Sequence, residues 1–224
     1  MLLFWGSLAF PIVLLAGLMP SCLYAWSSSD TETLLKKMEA SYAQVRDYQA
    51  NVEVRTYRRD GSFAAKKFLY TFKRPKWIRL DFESPYSGMI MIYPDQNGKV
   101  VLRRFLTFHL ALRNPLLRVA PGQRIDQTDL GLLIRNIAHS LTDHERGPLE
   151  VAENDRDTRI QVLADDHFRE GVVTLYEFVI DKKLQLPVQV EESKPDGILE
   201  RTIIFRNLRT NIGVPDRFFQ LDEG

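Results

Sequence analysis

From Val52 to Phe205 apolar residues recur mostly at every second position, a period that suits strands burying one face and little else. Val52, Val54 and Thr56 oppose Glu53, Arg55 and Tyr57. After the tight-turn pair Asp60-Gly61, Phe68, Tyr70 and Phe72 alternate with Lys67, Leu69, Thr71 and Lys73, which predicts a hairpin. Ile78, Leu80 and Phe82 face away from Trp77, Arg79 and Asp81. Met89 to Tyr93 and Val100 to Leu102 flank Asp95-Gln96-Asn97-Gly98, where Asn-Gly accepts positive φ at low cost. Leu106, Phe108, Leu110 and Leu112 continue the alternation. Ile160 to Ala164, Val172 to Ile180, Leu186 to Val190 and Leu199 to Phe205 complete about ten antiparallel strands.

Two helices stand against this. Ser29-Asp30-Thr31-Glu32 has the form of a capping box, and Leu35, Met38, Tyr42 and Val45 share a stripe, giving a helix over about 30–46. Leu130, Leu133, Ile134, Ile137, Ala138 and Leu141 fall on one helical face, with Asp126 and Asp129 at the start where carboxylates favour the dipole. Gly131 weakens that first turn. A twisted sheet of so many strands does not stay open and flat. It folds over as a sandwich or curls into a barrel, and a curled sheet can enclose one apolar ligand with a helix as lid.

The first 29 residues carry no charged side chain, whereas the following ones carry all of the acidic and basic residues. Met1 to Ala25 therefore predicts an export signal, followed by a single domain over 26–224. Cleavage after Ala25 would begin the mature chain at Trp26 and export it. The rival fates are lipidation at Cys22 and an uncleaved anchor. With one cysteine, the chain forms no internal disulfide and relies on its core. The net charge is +1, but its distribution is uneven. Arg55, Arg58, Arg59, Lys66, Lys67, Lys73, Arg74, Lys76 and Arg79 form a basic stretch, read either as solvated strand faces or as a face for transient contact with an anionic membrane or partner.

Chemistry-bearing groups do not converge. His139 and His144 are five residues apart, about 140° around a helix, which suits one metal ion poorly. Ser140 is adjacent to His139 only in sequence, and no G-x-S-x-G elbow occurs. Asp95-Gln96-Asn97-Gly98 lacks the later oxygen ligands of a calcium loop. No catalytic residue, cofactor or metal is expected, and nothing points to nucleic acid. A monomer built to hold a ligand, not to convert it, is the reading.

The order of segments resembles the LolA/LolB-like superfamily of periplasmic lipoprotein carriers and lipoprotein-sorting proteins. The resemblance rests on Met38-Glu39-Ala40-Ser41-Tyr42-Ala43-Gln44-Val45-Arg46-Asp47-Tyr48, Phe72-Lys73-Arg74-Pro75, Tyr93-Pro94-Asp95-Gln96-Asn97-Gly98-Lys99, Ile180-Asp181 to Leu186-Pro187, Asp196-Gly197, and Asn211-Ile212-Gly213-Val214-Pro215-Asp216 before Phe218-Phe219. It covers most of residues 30–221. It implies an unclosed antiparallel β-barrel lidded by helices, an apolar cavity for acyl chains of lipids or lipoproteins, and exchange with an inner-membrane donor and an outer-membrane acceptor. The expected lining is Phe68, Tyr70, Phe72, Ile78, Leu80, Phe82, Tyr176, Phe178, Val188 and Val190, with Leu130, Leu133, Ile134 and Ile137 on the lid. Alternatives of other classes are a lipid-sensing regulatory module of an envelope-stress system and a hydrolase, the latter requiring a polar cluster in the cavity.

Overall fold

The structure is a computed structural model that describes residues 28–120, 122–142 and 149–221. The export signal, Cys22, the Trp26 start and His144 lie outside the described residues. Helix α1 (Ser28–Ala43) leads into strands β1 (Asp47–Tyr57), β2 (Phe63–Lys73), β3 (Trp77–Ser84), β4 (Ile90–Tyr93), β5 (Val100–Arg103) and β6 (Thr107–Leu110). A short ribbon of β7 (Arg118–Ala120) and β8 (Gln123–Arg124) precedes helix α2 (Leu130–Thr142). Strands β9 (Glu150–Glu153), β10 (Asp157–Asp165), β11 (Val173–Asp181), β12 (Leu186–Ser193) and β13 (Leu199–Thr210) follow.

Eleven strands form one sheet in the order β6-β5-β4-β3-β2-β1-β13-β12-β11-β10-β9. The two meanders join where β1 pairs with β13 through Val52↔Phe205 and Val54↔Ile203. The end strands β6 and β9 do not pair, so the sheet is an unclosed barrel rather than a sandwich. The sequence pattern missed β9 and the β7–β8 ribbon because segments of two to four residues are too short to establish a period. It also set Leu106 and Leu112 in a strand; they flank β6, with Leu106 in the turn before it.

The inward residues of the alternation form the core. Tyr48 stacks on Tyr70 and Phe72 at centroid distances of 5.6 and 5.0 Å, and Phe68 meets Phe82 at 5.3 Å. Each such ring, fully buried, contributes roughly 1.5–3 kcal/mol by removal from water. Helix α1 is already running at Ser28, so Ser29 lies within it and does not cap it as expected; Glu32 instead pairs with Lys36 at 2.6 Å. Arg74 closes the other end of α1, donating to the carbonyls of Val45 (2.6 Å) and Tyr42 (2.9 Å). Helix α2 packs against α1, β10 and β12, across the inner face of the sheet. Asp129 caps it by accepting from the Leu132 N–H at 3.0 Å, whereas Asp126 pairs with Arg124 at 2.9 Å. No helix among the described residues is long and apolar enough to cross a membrane.

The sheet's outer face carries a second, smaller core. Val214, Phe218 and Phe219 of the C-terminal segment pack on Trp77, Ile92 and Val101. Lys73 holds the Val214 carbonyl at 2.6 Å, and Arg79 lies over the Phe218 ring at 4.4 Å while pairing with Asp81 at 2.8 Å. Three of the nine cations in the basic stretch, Lys73, Arg74 and Arg79, are therefore occupied with holding chain segments together.

Candidate ligand-binding pocket

Register across the sheet places inward residues in transverse rows. One row runs Phe178, Val190, Ile203 and Val54 across β11, β12, β13 and β1. The next row runs Tyr176, Glu192, Arg201 and Thr56. Helix α2 and the β7–β8 ribbon lie over these rows and leave a pocket whose empty space, counted out to its mouth, is about 740 Å³. It is a narrow slot: the centre of a water molecule could range over only about 70 Å³ of it. Val52, Val54, Phe68, Leu80 and Ile203 supply the apolar wall, and Leu133 and Asn136 of α2 face it from above. Gly122 at the ribbon tip closes on the loop between β10 and β11. Its φ is +77°, and a Cβ there would stand 2.5 Å from the Phe168 carbonyl oxygen.

Six side chains expected to line a cavity do line this pocket: Phe68, Tyr70, Leu80, Leu133, Tyr176 and Val190. Seven others, Phe72, Ile78, Phe82, Leu130, Ile134, Ile137 and Phe178, are packed into the core without lining the pocket. Val188 sits half-buried beside the bulge where β11 and β12 slip register between Val179 and Ile180. The bulge sets Val188 aside, and the other seven share one physical reason. Alternation identifies the inner face, but the path of α2 decides which part of that face remains open.

A polar cluster at one end of the slot is absent from the sequence reading. Arg201 and Glu192, directly opposite on β13 and β12, form an ion pair with side-chain exposures of only 7% and 9%. The guanidinium Nε donates to Glu192 at 2.8 Å and Nη2 makes the second contact, while Nη1 is buried without a partner. His167 stacks on Tyr176 at 4.4 Å, donates its backbone N–H to the Tyr176 hydroxyl at 3.1 Å and meets Ser140 through Nε2 at 2.8 Å. Burial pushes the His167 imidazole down to about 4, so it is neutral at pH 7. Asp166 accepts from Arg169 and Thr174 at 2.8 and 2.9 Å beside it.

Ser140 thus has a histidine partner, but one 27 residues away and not the adjacent His139. Its side chain is fully buried, and among the described residues no carboxylate is shown hydrogen-bonded to the His167 ring. That pair fastens α2 to the β10–β11 loop. A parity signal for Glu192 and Arg201 was available: both fall on the inward parity of Val190 and Ile203, a costly place for unpaired charge. Among the described residues no group of three or more His, Cys, Asp or Glu could hold a metal ion.

The site is thus an apolar slot between an open antiparallel sheet and the helices that lid it. The sequence matches no family model and no curated protein. Among solved structures the fold is similar to that of MucB, with a TM-score of 0.52 at 15% identity over 88% of this chain; the chain spans 64% of the length of that MucB. Structural neighbours also include a LolA superfamily protein from Nitrosomonas europaea (13% identity, 85% of this chain and 97% of that one, TM-score 0.41). Another is a putative outer membrane lipoprotein-sorting protein domain from Vibrio parahaemolyticus (12% identity, 84% and 97%, TM-score 0.40). At these identities the likeness is one of fold.

Proposed function

We propose that this chain is a non-enzymatic binding protein of the cell envelope that takes an acyl chain of a lipid or lipoprotein into the slot between α2 and the sheet. The observation that carries this reading is the slot itself. Its walls are mostly apolar and it is half enclosed, a narrow slot between the helix and the sheet. Its width suits one extended chain better than a bulky ring system. The uncharged first 29 residues support export, and periplasmic trafficking of lipids or outer-membrane lipoproteins is the role that joins the two. The test is displacement of a fluorescent acyl probe from delipidated protein, with Leu133→Trp and Val54→Trp filling the slot. Both variants should melt near the wild type and lose the probe. A folded, delipidated wild type that binds no acyl probe overturns the reading. Acyl binding that alters affinity for a protein partner, without cargo transfer between membranes, would identify a lipid-responsive regulator instead.

A further inference from the structure

We infer that the edge strand β6 is a docking site for an extended segment of another protein, one in which acidic residues alternate with apolar ones and which joins the sheet as a further strand. No residue of β6 lines the slot, so the acyl-binding reading stands or falls without this site.

Among the described residues β6 pairs with β5 alone, which leaves a row of backbone N–H and C=O groups open along its outer side. Thr107, Phe108 and His109 are exposed. Register settles which face each belongs to. Phe108 and Leu110 stand opposite Leu102 and Val100, which belong to the main core, so they carry the inner face of the sheet out to its edge. Phe108 is left 49% exposed there, with no strand beyond it. Thr107 and His109 stand opposite Arg103 and Val101 on the outer face, beside a shallow groove that also includes Trp77, Ile92 and Phe219. Charge on this side has one sign. From Gln96 to Ile125 the chain has six Lys or Arg and no Asp or Glu. Asp95, just before that run, is already committed: its carboxylate accepts from the backbone N–H of Asn97 and of Lys99, each at 2.8 Å, and meets Nδ1 of His109 at 2.7 Å. An added strand therefore meets an apolar inner side at Phe108 and a basic outer side at Arg103, and alternating apolar and acidic residues match the two. Other occupants fit less well. Hydrocarbon cannot satisfy the open backbone groups, which argues against a bilayer. A second β6 would bring like charges edge to edge. In the far edge strand β9 of a second copy, Glu153 is already held by the Thr158 hydroxyl and Lys182, both at 3.0 Å, so that edge has less free acid to offer.

Binding of three peptides of about eight residues, blocked at both ends, tests this on the wild type: alternating Glu-Val, alternating Lys-Val and alternating Glu-Pro. The Glu-Val peptide should bind, slow amide exchange over 107–110 and lose affinity as salt is added. Lys-Val should bind more weakly by roughly tenfold or more, because like charges meet. Glu-Pro should weaken similarly, since it keeps the charge but lacks half the N–H groups of a strand. Arg103→Glu, Arg104→Glu and Arg113→Glu combined should reverse the order of Glu-Val and Lys-Val, with thermal unfolding verifying the fold. The wild-type comparison stands whatever that variant does. Lys-Val or Glu-Pro binding as tightly as Glu-Val overturns the inference, as does a Glu-Val peptide that fails to bind or that protects 150–153 instead of 107–110. Self-association of the protein that Glu-Val reverses would identify a second copy as the occupant and overturn it. Protection of 105–108 by anionic vesicles, without binding of Glu-Val, would assign the edge to a membrane and overturn it too. Displacement of the acyl probe from the slot is read separately and is unchanged by every one of these outcomes.

Discussion

The phenol oxygen of Tyr48 accepts a hydrogen bond from the backbone N–H of Leu130 at 3.0 Å, wholly buried, so the first residue of α2 is fixed to the start of β1. Burial pushes the Tyr48 phenol well above its ordinary range, which keeps it neutral and available as an acceptor. Tyr48→Phe preserves the stacked ring and leaves a helix N–H without a partner. The expected loss is about 1–3 kcal/mol, read by chemical denaturation. If α2 is a lid, amide exchange over 130–142 should rise more than exchange in β1, and acyl probe should slow it again. Equal protection of α2 and β1 in both proteins would make α2 a fixed core helix.

Gly131 has a role other than weakening its helix. A Cβ there would stand 2.5 Å from Cε1 of Tyr42 and 2.8 Å from its hydroxyl, so the glycine lets α1 and α2 approach. Tyr42 has little room to yield: its hydroxyl reaches Asp129 at 3.4 Å and Arg74 lies over its ring at 5.1 Å. Gly131→Ala should therefore destabilise by about 1–3 kcal/mol despite gaining up to about 1 kcal/mol in helix propensity. Tyr42→Leu in the same chain should restore most of the loss. A single Gly131→Ala variant as stable as wild type, by thermal unfolding, would show that the helices separate at little cost.

Residues such as Tyr70 and Phe178 show what was legible in the sequence. Their two-residue period places both on the inner face, and the strand order follows from turns such as Asp60-Gly61 and Asn97-Gly98. Tyr70 lines the slot and Phe178 does not, a distinction made by the path of α2 over the sheet. A three-dimensional path has no counterpart in a period. Arg201 and Glu192 carried a parity signal, but their pairing depends on the β12–β13 register. His167 carried none, since it lies in a loop and enters the slot only because the chain turns there. Phe72→Glu and Phe178→Glu, natural probes of an expected cavity, would unfold the core rather than report on binding.

Arg74 separates the two readings of the basic stretch. Its guanidinium bonds two carbonyls at the C-terminal end of α1, which no other side chain among the described residues is shown to satisfy. Arg74→Ala should cost about 1–3 kcal/mol, since hydrogen bonds from a charged donor are lost and the carbonyls remain. Reversal of the exposed Arg58 and Arg59 to Glu should change stability by less than about 0.5 kcal/mol. Parallel urea denaturation of the two variants decides it. If anionic liposomes bind this face, only the second variant should weaken that binding without unfolding, and added salt should weaken it in the wild type.

His167 gives the fold a pH dependence of defined sign. Its native pKa of about 4 lies below its unfolded value of 6.5, because burial against Tyr176 and Phe178 disfavours the cation, with His139 and Arg201 acting in the same direction and Asp166 opposing them. Between these values the unfolded chain binds the proton and the native chain does not. The contribution is therefore complete above about pH 6.5, shrinks as pH falls towards 4 and is gone below it. A shift of this size corresponds to at most about 3 kcal/mol. His167→Gln keeps a polar partner for Ser140 but does not titrate. Unfolding free energy measured from pH 7.5 to 4.5 should fall more steeply for the wild type than for this variant. Glu177, raised by burial, titrates in both proteins and cancels in the difference. Parallel curves would mean that His167 is solvated enough to protonate in the folded state.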